Sequence, residues 1–319
     1  MNVQSQSIHG PTNNDSPLRK KRWWSATRKE ALVFYILISP WLLGFLVFVF
    51  GPMIASFVFS LTRWDMLTPA KFIGFANYVK AWNVDPLFWK SLKVTVIYAL
   101  FSVPLSLIFS LAVALLLNQA VKGLAIFRTL FYLPSVVSGV SVMVLWMWVF
   151  NPQIGLFNTV LGYFGIQGPA WIFDPKWALP SLVIMSLWSA IGGKMIIWLA
   201  GLNGIPTSLY EAAELDGAGS LRKFWNITVP MLTPTIFFNL IMSIVGALQT
   251  FGEAYVMTKG GPLNSTLFYN YYLFMKAFEH FEMGYASALA WFLFIIIMVF
   301  TLIVIKSSTA WVHYEGEKR

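Results

Sequence analysis

One polar stretch has residue types and spacing that suggest a function: EAAELDGAGSLRKFWNITVP at 211–230. It separates two long hydrophobic runs. Ala212 and Ala213 are small enough to let a partner surface approach closely. Gly217 suits a tight turn because glycine accepts a positive φ. The stretch therefore predicts a short helix, a glycine turn and a second short helix before Pro230, and the alternative is a plain polar loop between two spans.

Lys194 is the second candidate, because it is a cation within a hydrophobic run. A charged side chain inside a membrane span is costly and by default indicates function. Snorkelling explains it as well, since Lys194 lies roughly 12 Å of helix before Leu202 and a lysine stem covers part of that distance. Lys194 therefore either has a function inside the span, where it would pair with Glu253 or meet another anionic group, or reaches for the membrane surface.

Small and hydroxyl residues follow one face of a later hydrophobic run. Ser243, Gly246, Ala247 and Thr250 have the spacing i, i+3, i+4 and i+7, which puts them on one side of a helix. Close packing between membrane helices uses such residues routinely. This face is therefore either a packing surface or part of a solute pathway, with Glu253 as a polar neighbour.

The sequence does not support an enzymatic function. There is no cysteine, and the three histidines are scattered without metal-ligand spacing. The GGK at 192–194 resembles a phosphate-binding loop only superficially, because Met195 replaces the magnesium-binding hydroxyl and Trp188 replaces the first glycine. We therefore expect no ATP hydrolysis, no metal site and no cofactor in this chain.

The composition is that of a membrane protein. Hydrophobic residues make up 58% of the 319 residues and charged residues 11%, far from the usual soluble balance. The net charge is +9, but six of the 22 basic residues lie in one N-terminal stretch ahead of a hydrophobic run, which indicates membrane orientation rather than nucleic-acid binding. These six residues are Arg19, Lys20, Lys21, Arg22, Arg28 and Lys29.

Six hydrophobic runs are long enough to cross a bilayer as helices, which takes about 20 residues each. They are 31–60, 94–117, 130–150, 179–202, 231–251 and 286–305. Pro40, Gly51 and Pro52 predict a kink in the first run. The runs form one predicted domain over 30–310, preceded by a disordered basic tail at 1–29 and followed by a short tail at 311–319.

Six spans place both termini on one side of the membrane. With the N-terminus inside, 13 basic residues fall on the inner side, eight on the outer side and one within a span. Since basic residues favour the cytoplasmic side, this bias predicts cytoplasmic termini, although the loop 62–93 counts against it. The stretch 211–230 then lies in the cytoplasm as well.

The spacing EAA-x3-G-x9-I-x-V-P of the stretch 211–230 resembles the cytoplasmic coupling loop of binding-protein-dependent ABC transporter permeases, with Val229 where that family usually has Leu. Three further segments are similar to the carbohydrate-uptake, maltose-type branch of this family: WLAGL at 198–202, FGEAYVMTKGGP at 251–262 and MGYASA at 283–288. The resemblance covers roughly residues 30–310 and is strongest over 180–290.

The resemblance implies an all-α membrane protein with six transmembrane helices and a cytoplasmic coupling helix, within 204–230, between the fourth and fifth spans. It implies a permease subunit in a bacterial-type cytoplasmic (inner) membrane, with both termini cytoplasmic. Its partners would be a second homologous permease, two ATPase subunits that bind ATP and Mg, an extracytoplasmic solute-binding protein and the lipid bilayer. The residues implied in ATPase coupling are Glu211, Ala212, Ala213, Asp216, Gly217 and Pro230, and those implied in the solute pathway are Gly193, Lys194, Ser243, Gly246, Ala247, Thr250 and Glu253.

By this resemblance alone, the expected solute is a sugar or oligosaccharide, and Lys194 on the solute pathway would meet an acidic sugar. Maltose-type permeases bind sugar with this face of the fifth span, but Ala247 and Thr250 stand where they have amide side chains, so the sugar contacts do not carry over whole. A permease for a non-sugar solute and a stand-alone secondary transporter are the alternatives. The second is disfavoured because ion-coupled carriers usually show intramembrane carboxylates or internal repeats, and the sequence shows neither.

Overall fold

A computed structural model of the protein describes residues 26–119 and 122–313, and these residues are almost entirely helical. The described ranges contain fourteen α-helices and one short antiparallel hairpin, β1 (Thr62–Arg63) with β2 (Lys71–Phe72). The helices are α1 (Ala26–Phe45), α2 (Gly51–Ser60), α3 (Ala76–Asn83), α4 (Pro86–Leu117), α5 (Leu124–Val136), α6 (Gly139–Val149), α7 (Leu156–Tyr163), α8 (Ala178–Asn203), α9 (Thr207–Leu215), α10 (Ser220–Lys223), α11 (Val229–Met231), α12 (Thr233–Leu248), α13 (Tyr269–Phe274) and α14 (Met283–Trp311). The predicted all-α fold is confirmed.

The predicted terminal tails lie mostly outside the described residues. This applies to the basic residues Arg19, Lys20, Lys21 and Arg22 and to residues 314–319. The first and last helices extend beyond the predicted domain limits at residues 30 and 310. The α1 helix begins at Ala26, and α14 ends at Trp311 with Val312 buried behind it.

The chain divides into two units, one up to residue 55 and one from residue 56 onward. In the first unit, α1 continues through a π-helical turn, Leu46–Phe50, into the start of α2. This turn stands where the sequence predicts a kink, directly before Pro52. Proline lacks an N–H and its ring crowds the carbonyl four residues earlier, and a wider helical turn relieves that contact without ending the helix.

Four helical stretches are long and apolar enough to cross a membrane on their own: Arg28–Ser60, Pro86–Leu117, Ala178–Asn203 and Met283–Trp311. Two bent helix pairs pass the same test together, Leu124–Val136 with Gly139–Val149 and Ser220–Met231 with Thr233–Leu248. Counting each pair as one span gives the predicted six within the described residues.

The third and fifth of these six spans are bent rather than straight. The α5–α6 pair bends by 99° and the pair that ends in α12 bends by 65°. Val137 and Ser138 separate α5 from α6. Val137 has an extended backbone, and Pro134 lies one turn before it. The second bend lies at Leu232, between Pro230 and Pro234. Prolines remove helical hydrogen bonds at both places, so the chain changes direction there.

Helix α4 is at the centre of the second unit, where it packs against α8 and α12. Aromatic side chains fill the core at the first end of α4, around Phe88, Tyr98 and Phe268. A second core lies at its other end, where Leu117 packs with Trp198 and Leu232. These two cores fix α4, α8 and α12 at both ends and leave their middle parts to line a cavity.

Candidate functional site

Helices α4, α8 and α12 surround a cavity of about 250 Å³ in the middle of the second unit. Its lining is unusually polar for a membrane helix bundle, with hydroxyl groups from all three helices and both a cation and a carboxyl group. The lining residues are Tyr98, Ser102, Val103, Ser106, Ser186, Ala190, Lys194, Met242, Ser243, Gly246, Ala247, Thr250 and Glu253. The structure therefore brings together six of the seven predicted pathway residues. Gly193, the seventh, is exposed and is not part of the lining.

Lys194 reaches across the cavity from α8 to α4. Its Nζ donates a hydrogen bond of 2.5 Å to Ser106 Oγ, and that hydroxyl in turn donates to the carbonyl of Val103 at 2.9 Å. Ser106 lies roughly 16 Å of helix before the end of α4 at Leu117. The ammonium group is thus held in the middle of the helix bundle and does not extend towards a helix end.

The ion pair between Lys194 and Glu253 that the sequence allowed is not formed among the described residues. Both side chains line the same cavity, but Lys194 is bonded to a neutral hydroxyl. A cation without a paired carboxylate remains available to an anionic group of a ligand, because a lysine ammonium has three donors.

The small-residue face of α12 borders open space. A Cβ added at Gly246 would meet no atom within 4 Å, so this glycine does not serve close packing between the described helices. Gly201 shows the opposite case, since a Cβ there would lie 2.5 Å from Thr235 Oγ1. Ser243 donates to the carbonyl of Asn239 at 2.5 Å, which leaves the oxygen lone pairs of its hydroxyl free to accept.

The polar stretch 211–230 forms the predicted helix, turn and helix. The first helix, α9, ends in a Schellman motif, in which Ala218 N–H donates to Ala213 O at 2.8 Å and Gly217 N–H donates to Glu214 O at 3.0 Å. Gly217 has a φ of +74°, as this motif requires. A Lys223–Glu214 ion pair of 2.6 Å links the second helix, α10, back to the first.

The side of this segment that faces away from the spans is exposed. Glu211, Ala212, Asp216 and Gly217 are exposed, and Ala213 is half-buried. Leu215 exposes 91% of its surface, which is an unusual position for a leucine unless another surface covers it. Sequence reasoning did not single out Leu215, although its place one residue before the turn is visible in the sequence.

The inner side of the segment is fixed to the spans. Ile205 is buried in the core that contains Trp198 and Leu232, and Tyr210 OH lies 2.9 Å from Thr228 Oγ1. Pro230, the last residue of the predicted motif, lies in the short helix just before the bend into α12. A displacement of the segment would therefore reach α8 and α12, two of the cavity's three walls.

Asp85, at the opposite end of α4, is a polar centre that sequence reasoning missed. Its Oδ1 accepts from the N–H groups of Leu87 and Phe88 at 3.0 and 3.3 Å, and its Oδ2 accepts from Tyr272 and from Tyr285, the latter at 2.5 Å. Burial raises the pKa of this carboxyl, but these hydrogen bonds outweigh burial, so the pKa lies below its ordinary value. An Asp directly before a Pro is a helix-start signal, and it shows that α4 begins at Pro86 rather than at the predicted residue 94.

Comparison with known proteins places this geometry in context. Residues 88–312 match the family described as binding-protein-dependent transport system inner membrane component. The chain is 46% identical over 310 residues to the probable ABC transporter permease protein YesP of Bacillus subtilis, covering 96% of this chain and 99% of that protein. It is 34% identical to the trehalose/maltose transport system permease protein MalF of Thermococcus litoralis, covering 87% of this chain and 94% of that protein.

A solved structure has the same fold. The crystal structure of a bacterial alginate ABC transporter in complex with an alginate pentasaccharide-bound periplasmic protein contains a chain that superposes with a TM-score of 0.78. The two chains are 23% identical, and the match covers 88% of this chain and 96% of that one.

Proposed function

The chain belongs to the family of binding-protein-dependent transport system inner membrane components, and from this premise we propose that its central cavity carries an acidic oligosaccharide across the membrane in an ABC importer. It is a multi-pass inner-membrane permease.

A sugar fits the lining of the cavity. Tyr98, Ser102, Ser186, Ser243 and Thr250 supply hydroxyl groups around a space of about 250 Å³, and small or aliphatic residues lie between them. Hydroxyl groups donate and accept at once, which matches the hydroxyls of a saccharide. The relative from Thermococcus litoralis, named for trehalose and maltose transport, supports the same class of solute.

The single observation that favours an acidic sugar is the position of Lys194. Its ammonium group lines the cavity beside hydroxyl groups and is bonded only to Ser106 among the described residues. A carboxylate on the solute would pair with this cation inside a low-dielectric space, where a charged hydrogen bond is strong. A neutral sugar would leave the cation without an anionic partner.

The driving force comes from partner subunits in this proposal. The exposed face of 211–217 docks on an ATPase subunit, which binds ATP and Mg, while a second permease completes the pathway and a solute-binding protein delivers the sugar from outside. The chain itself hydrolyses no ATP. A segment that meets an ATP-fed subunit must be cytoplasmic, which puts Asp85 and the hairpin β1–β2 on the outer side.

Uptake by the assembled transporter in proteoliposomes, with its binding protein, tests the solute. The probes are digalacturonate as an acidic sugar and maltose and lactose as neutral ones. We expect digalacturonate to be taken up, Lys194→Met to lower its uptake at least about tenfold, and Lys194→Arg to keep most of it, because a buried charged hydrogen bond contributes about 1.5–3 kcal/mol. Uptake of the neutral sugars alone, unchanged in Lys194→Met, would refute the acidic assignment.

A second pair of variants tests the cavity whatever the solute is. Ser243→Trp should abolish uptake by filling the cavity, while basal ATPase activity persists. Phe238→Trp adds the same side chain to the same helix at a position that is 51% exposed, and it should transport normally. Normal uptake in Ser243→Trp would show that the pathway lies elsewhere.

A further inference from the structure

A second, larger groove lies between α4 and α8, at the end of the bundle far from the segment 211–230. Its volume is about 660 Å³, and its wall runs along α4 from Lys90 to Leu105 and along α8 down to Leu187. This stretch of α4 is about 22 Å long, more than the ~15 Å that one leaflet contributes to the hydrocarbon core. The groove thus extends from the membrane surface into the bilayer.

Three cations stand at the mouth of this groove. Lys90 and Lys93 come from the first turns of α4, and Lys176 comes from the loop before α8. Within the described part of the chain, no acidic side chain pairs with any of these three ammonium groups, whereas Lys80, Lys223 and Lys276 each pair with a glutamate. Basic residues are disfavoured on the outer side of a membrane, so an unpaired group of three there needs a reason.

A hydroxyl group at the same place also lacks a partner. Ser265 lines the groove, and its Oγ is buried without a hydrogen bond. A buried polar group without a partner is unfavourable, and a ligand oxygen would satisfy it. Below this polar mouth, the groove is lined by apolar side chains of both helices.

We infer that this groove binds an anionic phospholipid of the outer leaflet. The phosphate pairs with Lys90, Lys93 and Lys176 and accepts from Ser265, and one acyl chain lies between α4 and α8. The order of the lining favours a lipid over a soluble anion, because an acidic sugar would match the lysines but not the long apolar wall below them. The site is separate from the polar cavity around Lys194.

Native mass spectrometry of the assembled transporter, titrated with phosphatidylglycerol or phosphatidylcholine, tests the site. We expect phosphatidylglycerol to bind at least about tenfold more tightly, and the triple variant K90Q/K93Q/K176Q to lose that preference. The triple variant R63Q/K71Q/K259Q removes the same charge from exposed positions at the same end of the molecule and should keep it. Equal binding of the two lipids, or an unchanged preference in K90Q/K93Q/K176Q, would overturn the inference.

Cross-linking locates the lipid independently of any variant. A phosphatidylglycerol with a photoreactive acyl chain should label peptides from 90–105 and 176–187. Labelling confined to other helices would place the lipid elsewhere and overturn the site. Protection of the three lysines from chemical modification by digalacturonate, but not by phosphatidylglycerol, would instead show that the groove receives the solute.

Discussion

Asp85 connects three separate parts of the chain through one carboxylate. It caps α4 through two backbone N–H groups and accepts from the phenols of Tyr272 in α13 and Tyr285 in α14. Its pKa is lowered by these bonds in the folded state. A carboxyl group with a lowered folded pKa stabilises the fold above its unfolded pKa, and this contribution is lost as the pH falls through the folded pKa.

We predict that Asp85→Asn lowers the stability of the protein by about 2 kcal/mol at neutral pH, because hydrogen bonds to a charged group are weakened. The difference from the wild type should be constant between pH 7 and 5 and should shrink below about pH 4, near the unfolded pKa of aspartate. Thermal midpoints in detergent, followed by tryptophan fluorescence, measure this. Asp174→Asn is the control, since that carboxylate accepts one recorded bond, from Lys176 N–H. A pH-independent difference would show that the charge of Asp85 is not the cause.

At the residue scale, the sequence predicted six of the residues that line the cavity, but it missed those that α4 contributes and the bond that Lys194 makes to one of them. The helical spacing of Ser243 and Gly246 fixes a common face whatever the neighbours are. The partner of Lys194, by contrast, depends on how α8 and α4 pack, and these residues are far apart in the chain. The same holds for Asp85, whose tyrosine partners follow more than 180 residues later.

At the scale of secondary-structure elements, the turn within the segment 211–230 should be sensitive to substitution of its glycine. Gly217 has a φ of +74° with open space around it, whereas Gly219 has a φ of −70°. Gly217→Ala should cost about 1 kcal/mol through backbone strain alone. Gly217→Trp also projects a bulky side chain from the exposed side of this segment and, if that side docks on an ATPase as proposed, should abolish transport while the spans still insert.

Binding-protein-stimulated ATPase activity of the assembled transporter measures this prediction, with Gly219→Ala as the matched control. Gly219→Ala should behave like the wild type, since its backbone is accessible to any residue. Wild-type stimulated activity in Gly217→Trp would refute the coupling role of the segment.

The start of α14 depends on a close backbone approach. A Cβ at Gly284 would lie 2.1 Å from the carbonyl oxygen of Thr62, and Gly284 N–H donates to Trp64 O at 3.1 Å. We therefore expect Gly284→Ala to destabilise the protein by about 1–3 kcal/mol, as overpacking does. Gly162→Ala, where a Cβ meets nothing within 4 Å, should be neutral. Equal thermal midpoints for the two variants would contradict this account.

At the scale of elements, hydrophobic length predicted the spans well and their bends poorly. The runs around α4, α8 and α14 were found because an unbroken apolar helix has a clear length signal. The 99° bend after α5 was missed, because Pro134 alone does not tell whether a helix kinks or turns back. Packing against α8 decides that, and it is not local information.

The second unit has a hydrophobic core at each end and a polar cavity between them. The polar cavity lies between the core around Trp198, which holds the segment 211–230, and the aromatic core near Asp85. A movement of either end reaches the cavity through α4 and α8, because each core includes residues of both helices. This arrangement needs the two ends to lie on opposite sides of the membrane.

Cysteine labelling tests that topology, since the native chain has no cysteine and gives no background. Ser220 and Asn264 are both exposed, so single cysteines there are open to a reagent. In intact cells, a membrane-impermeant maleimide should label Asn264→Cys within minutes and should leave Ser220→Cys unlabelled until the membrane is opened. The reason is that one span, the bent pair ending in α12, lies between the two positions, so one must be outside and the other inside. Labelling of both from one side would mean that the bent pair ending in α12 enters the membrane and returns to the same side without crossing it. The reverse pattern would invert the orientation and remove the segment 211–230 from the reach of an ATPase.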